Sequence, residues 1–207
     1  MLLLAAEGAR AALQGRVRTA TRALGYAEGP PFESWLIHAP SFSDYRIDGG
    51  LGVVVRDAKP DLVILDTVGY FATYDENKAE EWKAAVAIPL RALANETDAA
   101  FILVHHPPKV TDANRDQRDG RGTGAMLADC DHFWRLDAVK GEPTQRTLVT
   151  RKNKYGAAWD MDLSFDAENA VFRLISAEPT KPEPPPPPKA KEPVYQRSFT
   201  EPRDANE

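Results

Sequence analysis

The sequence contains a single cysteine, Cys130, and no long apolar run. One thiol cannot build a disulfide framework or a cysteine-held zinc site, so neither an oxidising compartment nor a structural zinc ion is supported. The apolar stretches fall short of the roughly 18 to 20 residues that a membrane-spanning helix needs. Residues 1–6 also lack the basic leader of a signal peptide. We therefore predict a cytoplasmic protein that does not associate with a membrane.

An excess of basic charge is missing as well. The chain has 26 Lys and Arg residues against 31 Asp and Glu residues, which gives a formal net charge of −5. This balance excludes a generally basic surface for nucleic acid and leaves only a local basic loop as a candidate contact.

Proline, by contrast, is concentrated at one end of the chain. Nine of the 17 prolines fall within residues 178–207, and five of them are consecutive, Pro184 to Pro188. Such a segment favours extended polyproline II structure and has few apolar groups to bury, so it cannot offset the entropy cost of folding. We predict one folded domain over residues 1–177, which is long enough to bury a sizeable core, and a disordered tail over residues 178–207.

The remaining pattern is typical of an α/β fold with a parallel sheet. Short apolar runs predict strands, and the intervening stretches at helical spacing predict helices. The strands are expected at 2–6, 35–38, 61–66 and 100–104, and the helices at 9–24 and at 78–96, the latter with a kink at Pro89. Alternation of this kind indicates right-handed crossover units and a sheet that is covered by helices.

Antiparallel strands are predicted towards the carboxyl end. A short helix at 125–130 precedes a strand at 132–136, and a meander follows with strands at 147–150, 159–163 and 171–175. Turn-forming residues separate these strands, as expected for hairpin connections.

Polar side chains follow three of the predicted parallel strands. Glu7 ends the first strand, Asp66 ends the strand at 61–66, and His105 and His106 follow the strand at 100–104. Ligands of open α/β sheets collect at the carboxyl ends of the strands. An aspartate there can hold magnesium, a glutamate can activate water and a histidine can donate to a phosphate oxygen.

Each of these residues also has an ordinary structural interpretation. An acidic residue at a strand end is often only the solvated start of a loop or a helix cap. His105 and His106 are adjacent and are expected to point to opposite faces, so they cannot easily share one metal ion and at most one of them faces a site.

A long polar segment, residues 107–124, follows the histidines. It carries four basic side chains among several aspartates, and long loops in compact domains are usually functional or disordered. The candidate contacts to nucleic acid are Lys109, Arg115, Arg118 and Arg121. The interleaved aspartates leave a merely solvated charged loop as the alternative.

The order and spacing of these motifs resemble the RecA-like ATPases of hexameric replicative helicases and plasmid replication helicases, a group also described broadly as AAA-family ATPases. The resemblance covers residues 2–156. The segments that carry it are Leu-Val-Ile-Leu-Asp at 62–66, Phe-Ile-Leu-Val-His-His-Pro-Pro-Lys at 101–109 and Gly-Arg-Gly-Thr-Gly-Ala-Met-Leu-Ala-Asp-Cys-Asp at 120–131.

The resemblance implies a role for each strand-end residue. Asp66 matches the Walker B aspartate that acts on magnesium, and Glu7 matches the glutamate that activates water for attack on the γ-phosphate. His106 matches the residue that senses this phosphate and relays its presence to a DNA-binding loop, which corresponds to residues 107–122. The basic residues of that loop would contact the phosphate backbone of single-stranded DNA independently of base sequence.

A further segment, Arg-Lys-Asn-Lys-Tyr-Gly at 151–156, resembles the family segment that reaches from one subunit into the nucleotide site of its neighbour. Lys152 matches the family lysine. Lys154 stands at the arginine-finger position, and lysine lacks the planar fork of arginine. We therefore expect weaker activation in trans, or substitution by Arg151.

The resemblance thus implies an ATP-hydrolysing domain that uses ATP and Mg²⁺, acts on nucleic acid in plasmid or phage-like DNA replication, and assembles as a homo-oligomeric, hexameric ring. One expected element is missing, because no segment matches the Walker A phosphate cradle, Gly-x-x-x-x-Gly-Lys-Ser/Thr. We therefore expect the chain alone to bind ATP poorly and leave open whether it is an active enzyme.

Two explanations of the missing cradle remain open. Met1 is either an internal or mispredicted start of a longer protein, or the chain is a split or degenerate remnant that needs a partner. The family places the missing strand between strands that are present here, so we expect two unpaired sheet edges. The alternative to a motor is a non-catalytic interaction module whose proline-rich tail docks a replication partner.

Overall fold

The structure is a computed structural model that describes residues 1–6, 10–26, 35–38, 46–75, 77–106 and 123–180. Three predicted features lie outside these residues: Glu7, residues 107–122 with the four basic side chains of the predicted DNA-binding loop, and residues 181–207 of the predicted tail.

Four parallel strands form the first sheet, and all four were predicted. They are β1 (Leu2–Ala5), β2 (Trp35–His38), β3 (Leu62–Asp66) and β4 (Ala100–Val104), in the order β2-β1-β3-β4. The central strands β1 and β3 contain fully buried leucine and valine side chains, as the continuous apolar runs indicated. The predicted parallel α/β architecture is confirmed.

Helices connect these strands. They are α1 (Arg10–Ala23), α2 (Gly50–Ala58), α3 (Ala79–Trp82) and α4 (Ile88–Thr97). A π-helical turn, Lys83–Ala87, joins α3 to α4. Pro89 has no N–H and its ring collides with the carbonyl group four residues earlier, so a regular α-helix cannot run through it. The predicted interruption of the helix is therefore present as a widened turn just before Pro89.

Helix α2 was not predicted, because its three consecutive valines have low helix propensity. It ends at Lys59, whose φ of 43° is left-handed and whose N–H donates to the carbonyl group of Val55. Pro60 follows directly and disfavours helical geometry at the residue before it.

The core lies between the parallel sheet and its helices. Leu51 and Val55 of α2, four residues apart, project from one face of that helix and are fully buried. The predicted apolar face of α3 and α4 is also buried, with Trp82, Val86, Leu90 and Leu93 packed against the strands. Burial of each such side chain contributes about 1.5 to 3 kcal/mol. These contacts hold the sheet, and therefore its strand ends, in a fixed position.

A second sheet follows helix α5 (Thr123–Asp129). It is antiparallel and has the order β5-β6-β7-β8, with β5 (His132–Ala138), β6 (Gln145–Asn153), β7 (Trp159–Asp166) and β8 (Val171–Pro179). The antiparallel strands were predicted, but each is longer than expected. β8 continues past residue 178, where the tail was expected to start, and the division into domain and tail stays a prediction.

The two sheets are not joined edge to edge. The four parallel strands have no gap between them, because each is hydrogen-bonded to the next in the order β2-β1-β3-β4. Among the described residues, however, β4 pairs only with β3, and β5 pairs only with β6. Ile102 of β4 is accordingly 39% exposed, whereas Ile64, its register partner on the same face of β3, is half-buried. Within the described residues, the strand before α5 in sequence, β4, and the strand after it, β5, therefore each have one open edge.

No helix within the described ranges is long and apolar enough to cross a membrane.

Candidate functional site

The strands that precede three of the predicted chemical positions are neighbours in the parallel sheet. In the strand register, Ala5 of β1 and Val104 of β4 are both paired with Asp66 of β3. The three strands therefore end at the same level, with Asp66 in the centre. Glu7 is two residues beyond Ala5, and His106 is two residues beyond Val104. The sheet therefore brings Ala5, Asp66 and Val104 together at the carboxyl ends of their strands, although these residues are far apart in sequence.

Asp66 is fixed on both sides by its backbone. The carbonyl oxygen of Asp66 accepts a hydrogen bond from the N–H of Ala6 at 2.8 Å. A 3₁₀ turn, Val68–Tyr70, follows directly. The turn is anchored by Val68 and Phe71, which are both fully buried. The strand end is thus held between the sheet and a buried apolar anchor.

The two histidines, which follow the last residue of β4, differ in exposure. His105 is half-buried, whereas His106 is exposed. His106 is the member of the pair that the family resemblance assigns to phosphate sensing. The assignment of roles to Glu7, Asp66 and His106 stays a prediction.

Lys152 contacts a helix end of its own chain. Its Nζ donates hydrogen bonds of 2.8 and 2.9 Å to the carbonyl oxygens of Leu127 and Ala128 near the carboxyl end of α5. A positive charge at this position favours the negative end of the helix dipole. Lys152 therefore connects β6 to the helix that follows the predicted DNA-binding loop.

Lys154 forms an ion pair with Asp131, with Nζ and Oδ1 2.9 Å apart. Both side chains are about half exposed. The Lys154 ammonium also lies 5.0 Å from the centre of the Tyr155 ring. Hydrogen bonds to Tyr155 and Asp131 raise the pKa of Lys154, and the hydrogen bond from Lys154 lowers the pKa of Asp131. Both charges are therefore maintained at neutral pH.

The sequence did not predict these two lysine contacts. Asp131, Leu127 and Ala128 were noted only as part of a family segment. Neither contact leaves a periodic signal in the sequence. Lys152 binds backbone carbonyl groups at a helix end, and Lys154 pairs with an aspartate 23 positions away.

Magnesium is the metal that the resemblance implies. No group of three or more His, Cys, Asp or Glu side chains in the described part of the chain is arranged to hold a metal ion. Magnesium does not need such a group, because it keeps several waters and is often bound by one or two carboxylates together with nucleotide phosphates. The single carboxylate of Asp66 at the strand end fits this kind of site.

Comparison with known proteins gives the family and the fold. A sequence profile described as AAA domain matches residues 1–112. No curated protein matches the chain in sequence.

Two solved structures are similar in fold. A structure of an ATPase domain has a TM-score of 0.64 and 14% sequence identity, and the match covers 83% of this chain and 72% of that one. A DnaB-like replicative helicase, reported with its interactions with primase, has a TM-score of 0.63 and 14% identity, with 83% of this chain and 49% of that one covered. The chain thus spans about half the length of the helicase, and its fold is that of RecA-like ATPase domains. Since the profile covers more than half of the sequence, the chain belongs to the AAA domain family.

Proposed function

We propose that the chain is an ATP-hydrolysing, RecA-like motor domain that acts on nucleic acid in DNA replication. The observation that carries this proposal is that β1, β3 and β4 are neighbours and end at the same level. Asp66 ends the central strand, Glu7 follows β1 in sequence, and His106 follows β4. Nucleotide hydrolysis needs a carboxylate for magnesium, a base for water and a phosphate-sensing donor within one site. The carboxyl ends of these strands would bring the carboxylate, the base and the donor together. We propose a cytoplasmic location for this activity.

In this proposal the roles of the protein groups are distinct. Asp66 would hold magnesium through its carboxylate, and the metal supplies positive charge against the phosphate oxygens. Glu7 would accept a proton from the attacking water and orient it. His106, exposed at the neighbouring strand end, would donate a hydrogen bond to a phosphate oxygen.

In this proposal the phosphate cradle would be supplied from outside these 207 residues, because no segment of the sequence matches it. The open edge of β4 supports this part of the proposal. β4 is a wholly apolar strand with a strand partner on one side only among the described residues. A further parallel strand at this edge would end level with Asp66 and so would carry its following loop to the same site.

Nucleic acid would be contacted by the loop between β4 and α5. Its candidate residues, Lys109, Arg115, Arg118 and Arg121, carry positive charge that suits single-stranded phosphate backbone. The loop starts beside His106 and ends at α5, whose carboxyl end is bound by Lys152. Because the loop follows His106 directly in sequence, a movement of His106 on phosphate binding would be passed straight to the loop.

In a homo-oligomeric, hexameric ring, Lys152 and Lys154 would act on the nucleotide of a neighbouring subunit. Both ammonium groups have partners within their own chain. Lys154 is the better candidate to exchange its partner for phosphate, because its ion pair is half exposed and such pairs are weak.

The contacts of the two lysines also favour a second candidate function. A non-catalytic interaction module would keep the RecA-like fold, use both lysines only for structure, and bind a replication partner. This module would not hydrolyse ATP in any assembly.

The test is ATP turnover by the chain in an assembly that contains a phosphate cradle, whether as an upstream segment or on a partner. Asp66→Asn should reduce turnover by at least about 100-fold, because loss of an electrostatic group of the reaction typically costs this much. The matched control is Asp61→Asn, which alters an aspartate at the opposite end of the same strand and should leave turnover unchanged. Equal turnover in wild type and Asp66→Asn would contradict the proposal.

A further inference from the structure

One face of the second sheet is apolar and is not covered by any of the described elements. Residues that are directly paired across an antiparallel sheet point to the same face. One such row is Leu136, Leu148, Met161 and Ala177, and the next is Ala138, Arg146, Leu163 and Leu174, with Arg146 as its one charged member. Leu136 and Leu174 are 50% and 61% exposed. A sheet with an apolar face normally buries it against another element.

Two tryptophans lie at one end of this face. Trp134 of β5 pairs with Thr150 of β6, and Trp159 of β7 pairs with Pro179 of β8. Between the two pairs, the hydroxyl group of Thr150 donates to the carbonyl oxygen of Trp159 at 2.5 Å. Trp134 is two residues from Leu136 in β5, and Trp159 is two residues from Met161 in β7. Both indoles therefore project from the apolar face. They are 51% and 42% exposed, whereas Thr150 is buried.

The two exposed indoles stand on either side of the buried Thr150. We call the surface between them the groove, with the indoles as its walls. Neighbouring strands are about 4.8 Å apart, so the walls are separated by roughly 10 Å. His132 stacks on Trp134 with ring centres 5.6 Å apart and extends the wall on one side. Aromatic-lined grooves of this kind bind proline-rich segments in the polyproline II conformation.

We propose that this groove, formed by Trp134, Thr150 and Trp159, binds the proline run Pro184 to Pro188 of the same chain. The run is the strongest compositional feature of the sequence, and the proposed motor function does not use it. Prolines bind with little loss of entropy, because their backbone is already restricted. The rigid, flat indoles provide apolar area on which proline rings pack.

The connection between groove and ligand is short. Pro179, the last residue of β8, is paired with Trp159, and the N–H of Thr180 still donates to the carbonyl oxygen of Ala158. Polyproline II advances about 3.1 Å per residue, so Pro184 lies up to about 15 Å from Pro179 along the chain and Pro188 up to about 28 Å. The distance across three strand intervals is roughly 14 Å. The run therefore spans the groove without a long linker, and tethering gives it a high effective concentration.

Stacking of nucleic-acid bases on the same rings is the competing use. Such platforms combine aromatic rings with a positively charged groove. In the paired rows of this face the basic residue is Arg146, whose Nη1 donates hydrogen bonds to the carbonyl oxygens of Pro143 and Gln145. The Asp160 carboxylate, which accepts hydrogen bonds from the N–H of Thr150 and the hydroxyl group of Thr180, belongs to the opposite face, because Asp160 follows Trp159 directly in β7. These rows carry no line of positive charge beside the indoles, which favours the proline run over phosphate.

The test uses the full chain labelled with [¹⁵N]tryptophan, which gives four indole signals because the sequence has four tryptophans. Each signal is assigned by a Trp→Phe variant. Replacing Pro184 to Pro188 with serine should shift the signals of Trp134 and Trp159 and leave that of the buried Trp82 in place. The matched control replaces Pro193 and Pro202, which lie outside the run, and should leave all four signals in place.

A peptide of residues 180–192, added to the five-serine variant, should restore the wild-type signals at saturation. Trp159→Ala should weaken this binding by about tenfold or more, as expected for an aromatic anchor. Leu174→Ala, an exposed apolar residue at the other end of the same face, should not weaken it. The proposal is wrong if the five-serine variant leaves the signals unchanged, if the shifts depend on protein concentration as for docking between two copies, or if oligo(dT) moves both signals at lower concentrations than the peptide does.

Discussion

Lys152 and Lys154 are separated by one residue, yet their surroundings predict different effects on stability. Lys152 is partly buried and donates two hydrogen bonds to the end of α5. Lys154 is in a half-exposed ion pair. Lys152→Ala should lower the free energy of unfolding by about 1 to 2 kcal/mol, because it leaves helix carbonyls without their charged donor. Lys154→Ala should lower it by clearly less, because an ion pair so exposed to water is weak. Urea unfolding of both variants measures the difference, and equal losses would contradict the two contact patterns.

Cys130 gives a second prediction at the scale of a single residue. Burial raises the pKa of its thiol, an effect that the nearby positive charge of Lys152 only partly offsets. The thiolate is the nucleophile, so a raised pKa leaves less of it at a given pH. Alkylation by iodoacetamide at pH 8 should be at least about tenfold slower than in the urea-unfolded chain, and its rate should increase with pH beyond the range where an ordinary cysteine levels off. Equal rates in the folded and unfolded chain would contradict this.

At this scale the sequence predicted position better than contact. The strand pattern located Asp66 and the histidines at strand ends, because a buried parallel strand has a recognisable beginning and end. The intrachain partners of Lys152 and Lys154 were not predicted, since pairs such as Lys154 and Asp131 depend on which strands become neighbours. The indole groove was missed for the same reason, because Trp134 and Trp159 are brought together only by the register of the second sheet.

Among the elements, β3 and β4 should tolerate truncation differently. Leu65 of β3 is fully buried in the centre of the sheet, whereas Ile102 of β4 is 39% exposed beside an open edge. Leu65→Ala should cost about 3 kcal/mol of stability, as is usual for a large side chain in a packed core. Ile102→Ala should cost about 1 kcal/mol or less, since much of its side chain already contacts water.

Thermal and urea unfolding of the two variants measures this contrast. A loss in Ile102→Ala as large as that in Leu65→Ala would contradict the difference in burial between the two side chains.

Element type was predictable where the sequence pattern has a single physical interpretation. The four parallel strands were predicted because apolar runs of four to six residues between breakers are typical of buried strands and are too short for most helices. Helix α2 was missed because its three valines favour a strand by propensity, and its burial on the core face overrides that preference. The turn before Pro89 was expected as a kink, and only the structure shows that it is a π-helical turn.

For the whole molecule, the missing phosphate cradle leads to a prediction about the 207-residue chain. With no matching motif, we expect its Kd for Mg-ATP to exceed 1 mM, so a concentration of about 1 mM would contribute less than about 0.4 kcal/mol to stability. The Tm should then rise by less than about 2 °C in a domain of this size. Differential scanning fluorimetry with and without Mg-ATP measures it. A rise of 5 °C or more would show that the chain itself binds the phosphates.

The central claim is that ATP is hydrolysed at the carboxyl ends of the parallel strands, around Asp66. The most direct test measures ATP binding and ATP turnover on the same samples of the chain in an assembly that contains a phosphate cradle. Wild type should bind and hydrolyse ATP. Glu7→Gln should still bind it but turn it over at least about 100-fold more slowly, because the amide cannot accept the proton of water. Asp66→Asn should also lose turnover, whereas Asp61→Asn should not. Unchanged turnover in both Glu7→Gln and Asp66→Asn would contradict the account.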